Sequence, residues 1–282
     1  MVDILRTADI VELHTWANDV AYSISSLKEN LEAILPDDNA SEDAEVYSNE
    51  IFEEFEQRRN LLGTSYPFDV DGNTLVPNQL KANSSYLFCL GLTFFEPVPN
   101  DMRTREFEGI VRLAAEAYFR GTAVRIGAPW RTGEIATYQE LLQRVVDMIP
   151  DLGVPVRTVA PHGGDGGWDI VVVNNFVDNA FSRIIALGNC ATGRTDWLTK
   201  GNETEVTDFW DAFSHPPERK NVCIRFLAVP FQMTKEQKDK KQGPGNLLFD
   251  RIRICHLVGT TSQRVMDWLA EHRDNTLELA LI

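Results

Sequence analysis

The chain has 282 residues, 43% of them hydrophobic and 24% charged, which is long enough for one large domain or two small ones with a sizeable core. This composition excludes a mostly disordered, collagen-like or coiled-coil chain. The formal net charge of −15 argues against a nucleic-acid binder, because phosphate contact is driven by lysine and arginine. That acidity is concentrated at one end: residues 1–62 hold 15 Asp and Glu against 4 Lys and Arg, and the other 220 residues carry only −4.

No run reaches the roughly 18 apolar residues that a membrane span needs, and the N-terminus lacks the basic-then-apolar pattern of a secretion signal. The expectation is a soluble, cytoplasmic protein with no membrane partner. Cys89, Cys190, Cys223 and Cys255 stand singly among apolar neighbours, without CxxC spacing, and are expected to be reduced thiols.

Apolar residues from Leu13 to Ile34 recur at alternating steps of four and three, which predicts one helix with a single apolar seam that Pro36 ends. Ser41 followed by acidic residues caps a second helix with Tyr47, Ile51, Phe52, Phe55 and Leu62 on one side. Together they predict an acidic helical hairpin, either packed on the rest of the chain or docking another subunit. Residues 63–103 are richer in Gly, Pro and Asn and read as a link, with one apolar run, Ser85–Phe95, that suits a strand or a buried helix. A helix from about Thr104 presents Phe107, Ile110, Val111, Ala114 and Ala117 and stops near Gly121. Thr137 with Glu140 forms a capping box that opens a helix ending at Pro150.

Beyond that helix the texture changes. Residues 169–173, 182–188, 222–231 and 249–258 are short runs rich in Val, Ile and Phe, which predicts strands. Lys235–Lys241 reads as a solvated turn and Thr261–His272 as a closing helix. The expected fold is α/β, a mixed β-sheet flanked by helices behind an N-terminal helical hairpin. The chain is expected to divide into an acidic helical region with its linker over 1–95 and an α/β core over 96–282.

The most informative stretch is His162-Gly-Gly-Asp-Gly-Gly-Trp-Asp169, running straight into the strand 170–173. Its glycines permit a tight, left-handed turn, and its aspartates stand at a strand entrance where they can meet a cation. The next strand ends at Asn189-Cys190-Ala191. Walker-type phosphate loops, GxSxG elbows and HExxH helices are absent from the sequence. Trp130-Arg131, Arg183 and Arg251–Arg253 could line a nucleic-acid path, although the alternation at 251–254 equally suits the outer face of an edge strand.

Phe107-Glu108 opening a helix, the Asp-Gly-Gly-Trp-Asp entry into one strand and Asn189-Cys190-Ala191 closing the next resemble, in order and spacing, the PD-(D/E)xK restriction-endonuclease-like family, most closely its Mrr-like branch. The resemblance covers residues 104–231. It implies that Asp169 binds Mg²⁺ or Mn²⁺, that Asn189 helps hold the ion, that Cys190 lends its backbone carbonyl and that Glu108 completes the shell. The chain departs from the family at three points: Trp168 replaces a proline, Asn189 is neutral, and Ala191 stands where a lysine handles the attacking water. Lys200 is the candidate for a migrated lysine and Arg194 the weaker one, while His162 is an alternative general base.

The function this resemblance implies is hydrolysis of DNA phosphodiesters by a subunit of a multi-component antiviral system. An ATPase or helicase partner would contact the N-terminal helical region. The alternative it leaves open is a catalytically silent scaffold or sensor of the same fold. A small-molecule hydrolase using Asp165 and Asp169 as paired carboxylates is a third reading, and it lacks a readable nucleophile–base pair.

Overall fold

The structure, a computed structural model, describes residues 2–36, 39–78, 83–94, 102–127, 137–158, 167–178, 183–193, 197, 206–217, 223–241 and 246–275. The chain forms two compact units, one made of residues 1–94 with 259–282 and the other of residues 95–258. The closing helix, placed with the α/β core on sequence grounds, therefore belongs with the N-terminal helices.

The first unit opens with α1 (Ile4–Asn18), whose N-terminus is capped by the Asp3 side chain accepting from the Arg6 amide. The expected single helix over 13–34 is broken. Asp19 takes a left-handed conformation at φ 54°, and β1 (Tyr22–Ser23) pairs antiparallel with β3 (Thr74–Pro77) before α2 (Ile24–Glu32) begins. Val20 and Ile34, assigned to the apolar seam, are accordingly exposed, whereas Leu27 and Leu31 are buried. The second helix, α3 (Ala40–Leu62), buries Ala44, Ile51, Phe52, Phe55 and Leu62, packs on α2 and α1, and turns Glu42, Asp43, Glu45, Glu50 and Glu53 to solvent.

The link after α3 holds more structure than its composition suggests. β2 (Phe68–Asp71) and β3 form a hairpin closed by Gly72-Asn73, with Gly72 at φ 56°, a conformation that favours glycine. The apolar run is α4 (Ser84–Gly91), buried along its whole length and capped by Asn83. Helix α10 (Gln263–Asn275) packs on α4 and α1, setting Trp268 edge-on against Phe88 at 5.4 Å between ring centroids.

The second unit opens with a π-helical turn at Met102–Glu106 that runs directly into α5 (Phe107–Phe119). Arg120, at φ 51°, ends the helix in the left-handed conformation. Gly121 follows because the Val173 carbonyl occupies the space of a side chain there. The remaining elements are β4 (Thr122–Arg125), α6 (Tyr138–Met148), β5 (Ile170–Asn174), β6 (Ile184–Cys190), α7 (Val206–Trp210), β7 (Ile224–Ala228), α8 (Lys235–Lys241), β8 (Asn246–Phe249) and α9 (Arg251–Leu257). The five strands form one mixed sheet in the order β4-β5-β6-β7-β8. β5 runs antiparallel to both of its neighbours, β4 and β6, whereas β6, β7 and β8 are parallel. Two expectations fail here. Residues 251–257 are helical, not part of a strand, because the Asp250 side chain accepts from the Arg253 amide and caps them. The lysine-rich segment is α8, not a turn.

Helices cover both faces of the sheet. Val171, Val173 and Leu187 pack against Leu141, Leu142 and Val145 of α6 and Phe209 and Trp210 of α7. On the opposite face Phe119 of α5 meets Phe226 and Phe249 at 6.0 and 6.5 Å, and the missing side chain of Gly188 makes room for the Phe226 ring. The Thr137 hydroxyl accepts from the Glu140 amide, so the expected cap on α6 is present. Thr137→Ala is expected to lower unfolding free energy by about 1 kcal/mol, read by urea denaturation, with α6 amides exchanging faster than those of β5.

Candidate functional site

The register of β4, β5 and β6 brings three segments to one end of the sheet: Arg125 opposes Ile170, and Ile170 opposes Gly188. Asp169, just before β5, is held by its backbone on both sides. Its amide donates to the Gly188 carbonyl at 2.9 Å, and its carbonyl accepts from the Ile126 and Gly127 amides at 2.7 and 3.0 Å. Its side chain is buried, and Oδ2 accepts from the Cys190 amide at 2.6 Å, a charge-assisted bond that ties the end of β6 to the start of β5.

Glu108 arrives from the first turn of α5, where the helix dipole favours an acid, and only 3% of it is exposed. Its Oε2 pairs with Nε of Arg125 at 2.7 Å. The carboxylates of Glu108 and Asp169 converge at Gly127. A β-carbon there would lie 2.5 Å from Glu108 Oε2 and 2.8 Å from Asp169 Oδ1, so the two oxygens are no farther apart than the sum of those distances. The structure therefore brings together the two acids that the sequence singles out, 61 positions apart in the chain.

Asn189 behaves differently. Its Nδ2 donates to the Gly167 carbonyl at 2.5 Å, and Gly167 takes φ 84°, the left-handed turn expected of the glycine-rich entry. The amide oxygen Oδ1 of Asn189 is buried and has no hydrogen-bond partner. Ala191, at the position of the family lysine, is buried in an apolar cluster with Trp197, Leu227, Val229, Phe231, Met233 and Leu248. Neither residue can shuttle a proton. Cys190 and Cys223 are half-buried, and burial pushes the pKa of the Cys223 thiol up; Cys89 and Cys255 are buried.

Lys200, Arg194, His162, Asp165, Trp130 and Arg131 lie outside the described residues. Arg183 is engaged in an ion pair with Asp151. Arg251 is fully buried in α9 and Arg253 donates to the Leu248 carbonyl, so residues 251–253 do not form the exposed basic strand face considered for a nucleic-acid path.

The donor set suits a hard divalent cation. Two buried carboxylates converge, and the uncompensated Asn189 oxygen lies one strand over. Among the described residues no group of three His, Cys, Asp or Glu side chains is placed to hold a metal ion. Sequence reasoning passes over Arg125 and Gly127. A charged residue closing the short run Thr122-Ala-Val-Arg125, followed at once by a glycine, is the signal that could have found them. Comparison of the chain with known protein families, with curated proteins and with solved structures finds no match.

Proposed function

We propose that this chain is a metal-dependent, nuclease-like subunit that hydrolyses DNA phosphodiesters within a multi-component antiviral system, in the manner of the PD-(D/E)xK family it resembles. The observation that carries this reading is the convergence of Glu108 and Asp169 at Gly127. Also in its support, a helix bearing the glutamate precedes neighbouring strands bearing the aspartate and Asn189-Cys190-Ala191, the arrangement the resemblance calls for. Asp169 and Glu108 would hold Mg²⁺ or Mn²⁺ with the Cys190 carbonyl, and Asn189 has an amide oxygen to spare. A bound ion of this kind lowers the pKa of a water and offsets charge building on a phosphate. The Cys190 amide fixes Asp169 Oδ2 and so orients the carboxylate. With Ala191 unable to handle the water, that role falls to Lys200. The acidic N-terminal helices repel DNA, so an ATPase or helicase partner meeting that region would supply much of the grip, in the cytoplasm.

A second reading, a catalytically silent scaffold or sensor on the same fold, is favoured by the apolar enclosure of Ala191. Incubating the purified protein with supercoiled plasmid and Mg²⁺ or Mn²⁺ separates the two. Nicking or linearisation that falls at least tenfold in Asp169→Ala supports the nuclease. Plasmid that stays intact with the wild type under both metals sinks it and leaves the scaffold.

A further inference from the structure

Resting on the metal-site reading above, we propose that Arg125 is a built-in cation latch: its guanidinium occupies Glu108 in place of the divalent ion, which binds only by displacing it. Glu108 Oε2 is the atom that converges with Asp169 Oδ1 at Gly127, and the same atom receives Arg125 Nε at 2.7 Å. An ion bridging the two carboxylates and the arginine compete for it.

The competition is built into the fold. Arg125 is the last residue of β4, paired with Ile170, so its backbone is fixed beside Asp169 and any displacement falls to the side chain. That side chain is 15% exposed and its partner 4%, so the pair is little screened by water. Release requires a better partner for one member of the pair. Asn189 contributes the second, independent observation: a buried amide oxygen with no partner, on the strand next to Asp169, is an acceptor that a hard cation would satisfy.

The consequence is quantitative. A site open for only part of the time binds with its intrinsic dissociation constant divided by the open fraction. Removing the arginine removes that penalty. Calorimetric titration of Mn²⁺ into wild type, Arg125→Gln and the double variant Arg125→Gln/Asp169→Asn tests this. The latch predicts binding at least tenfold tighter in Arg125→Gln than in wild type, and loss of that gain in the double variant. Equal affinity in wild type and Arg125→Gln overturns the latch while the metal site stands. Absence of binding in both overturns the latch and the metal site together. Tight binding that survives Asp169→Asn places the ion elsewhere and also overturns the latch. A second measurement needs no variant: phenylglyoxal modification of Arg125 in wild type, followed by mass spectrometry, should accelerate in excess Mn²⁺. An unchanged rate counts against displacement.

Discussion

Arg58→Ala is expected to lower the unfolding free energy by about 3–5 kcal/mol, the loss that follows when one partner of a buried ionic network is removed. Arg58 is fully buried in the N-terminal unit and is the centre of a set of acids. Its Nη1 lies 2.9 Å from both Asp9 and Glu12, and its Nε lies 2.9 Å from Glu54. Glu12 also accepts from the hydroxyls of Tyr66 and Tyr86. Burial pulls the arginine's pKa down, but Glu12 and the other acids hold it well above its ordinary value, so the guanidinium stays charged. Without it three buried carboxylates face one another. Urea denaturation should show the loss, and Glu12→Gln in the Arg58→Ala background should recover part of it. A loss below about 1 kcal/mol would mean that water reaches the cluster, contrary to its burial.

The same network sets an alkaline limit. Burial, and then the charge of Glu12, push the Tyr66 phenol well above its usual 10.0. The folded state therefore keeps a proton that the unfolded chain gives up. The stability this proton contributes is complete below about pH 10 and declines above it.

Gly127→Ala is expected to cut Mn²⁺ affinity and plasmid cleavage on the order of 10²-fold, the scale of a misplacement of about 1 Å in a catalytic constellation. The backbone at Gly127 is not in the left-handed region, so alanine imposes no dihedral strain. What it imposes is a methyl group 2.5 Å from Glu108 Oε2 and 2.8 Å from Asp169 Oδ1, which must spread the pair. Unfolding free energy should fall by only about 1–3 kcal/mol, as for other overpacked sites. Unchanged cleavage would show that the carboxylates do not act as a pair.

What the sequence reveals depends on whether a signal is local. Helices α5 and α6 are legible because each has a continuous apolar face, and Thr137 marks where α6 starts. Residues 251–257 are misread because Arg-Ile-Arg-Ile alternates with the period of a strand, whereas the deciding interaction is one cap from Asp250. The break after α1 hides inside a four-three spacing that runs unbroken through Val20, and what ends the helix there is a left-handed Asp19 followed by pairing with β3, some 50 residues away. For the candidate site, Glu108 and Asp169 are singled out in the sequence by residue type, order and the resemblance these carry. Arg125 and Gly127 are not, because they join it only through the β4–β5 register, which no short motif encodes.

The division of the chain has a consequence for its biosynthesis. The first 94 residues complete their unit only with residues 259–275, whose Trp268 closes over Phe88. At translation rates of about 5–20 residues per second, roughly 10–30 s pass between the emergence of those two parts. Throughout that interval the apolar surface of α4 awaits its cover on the ribosome while the intervening α/β unit is already free to fold, which makes the nascent helical half the natural client of a chaperone.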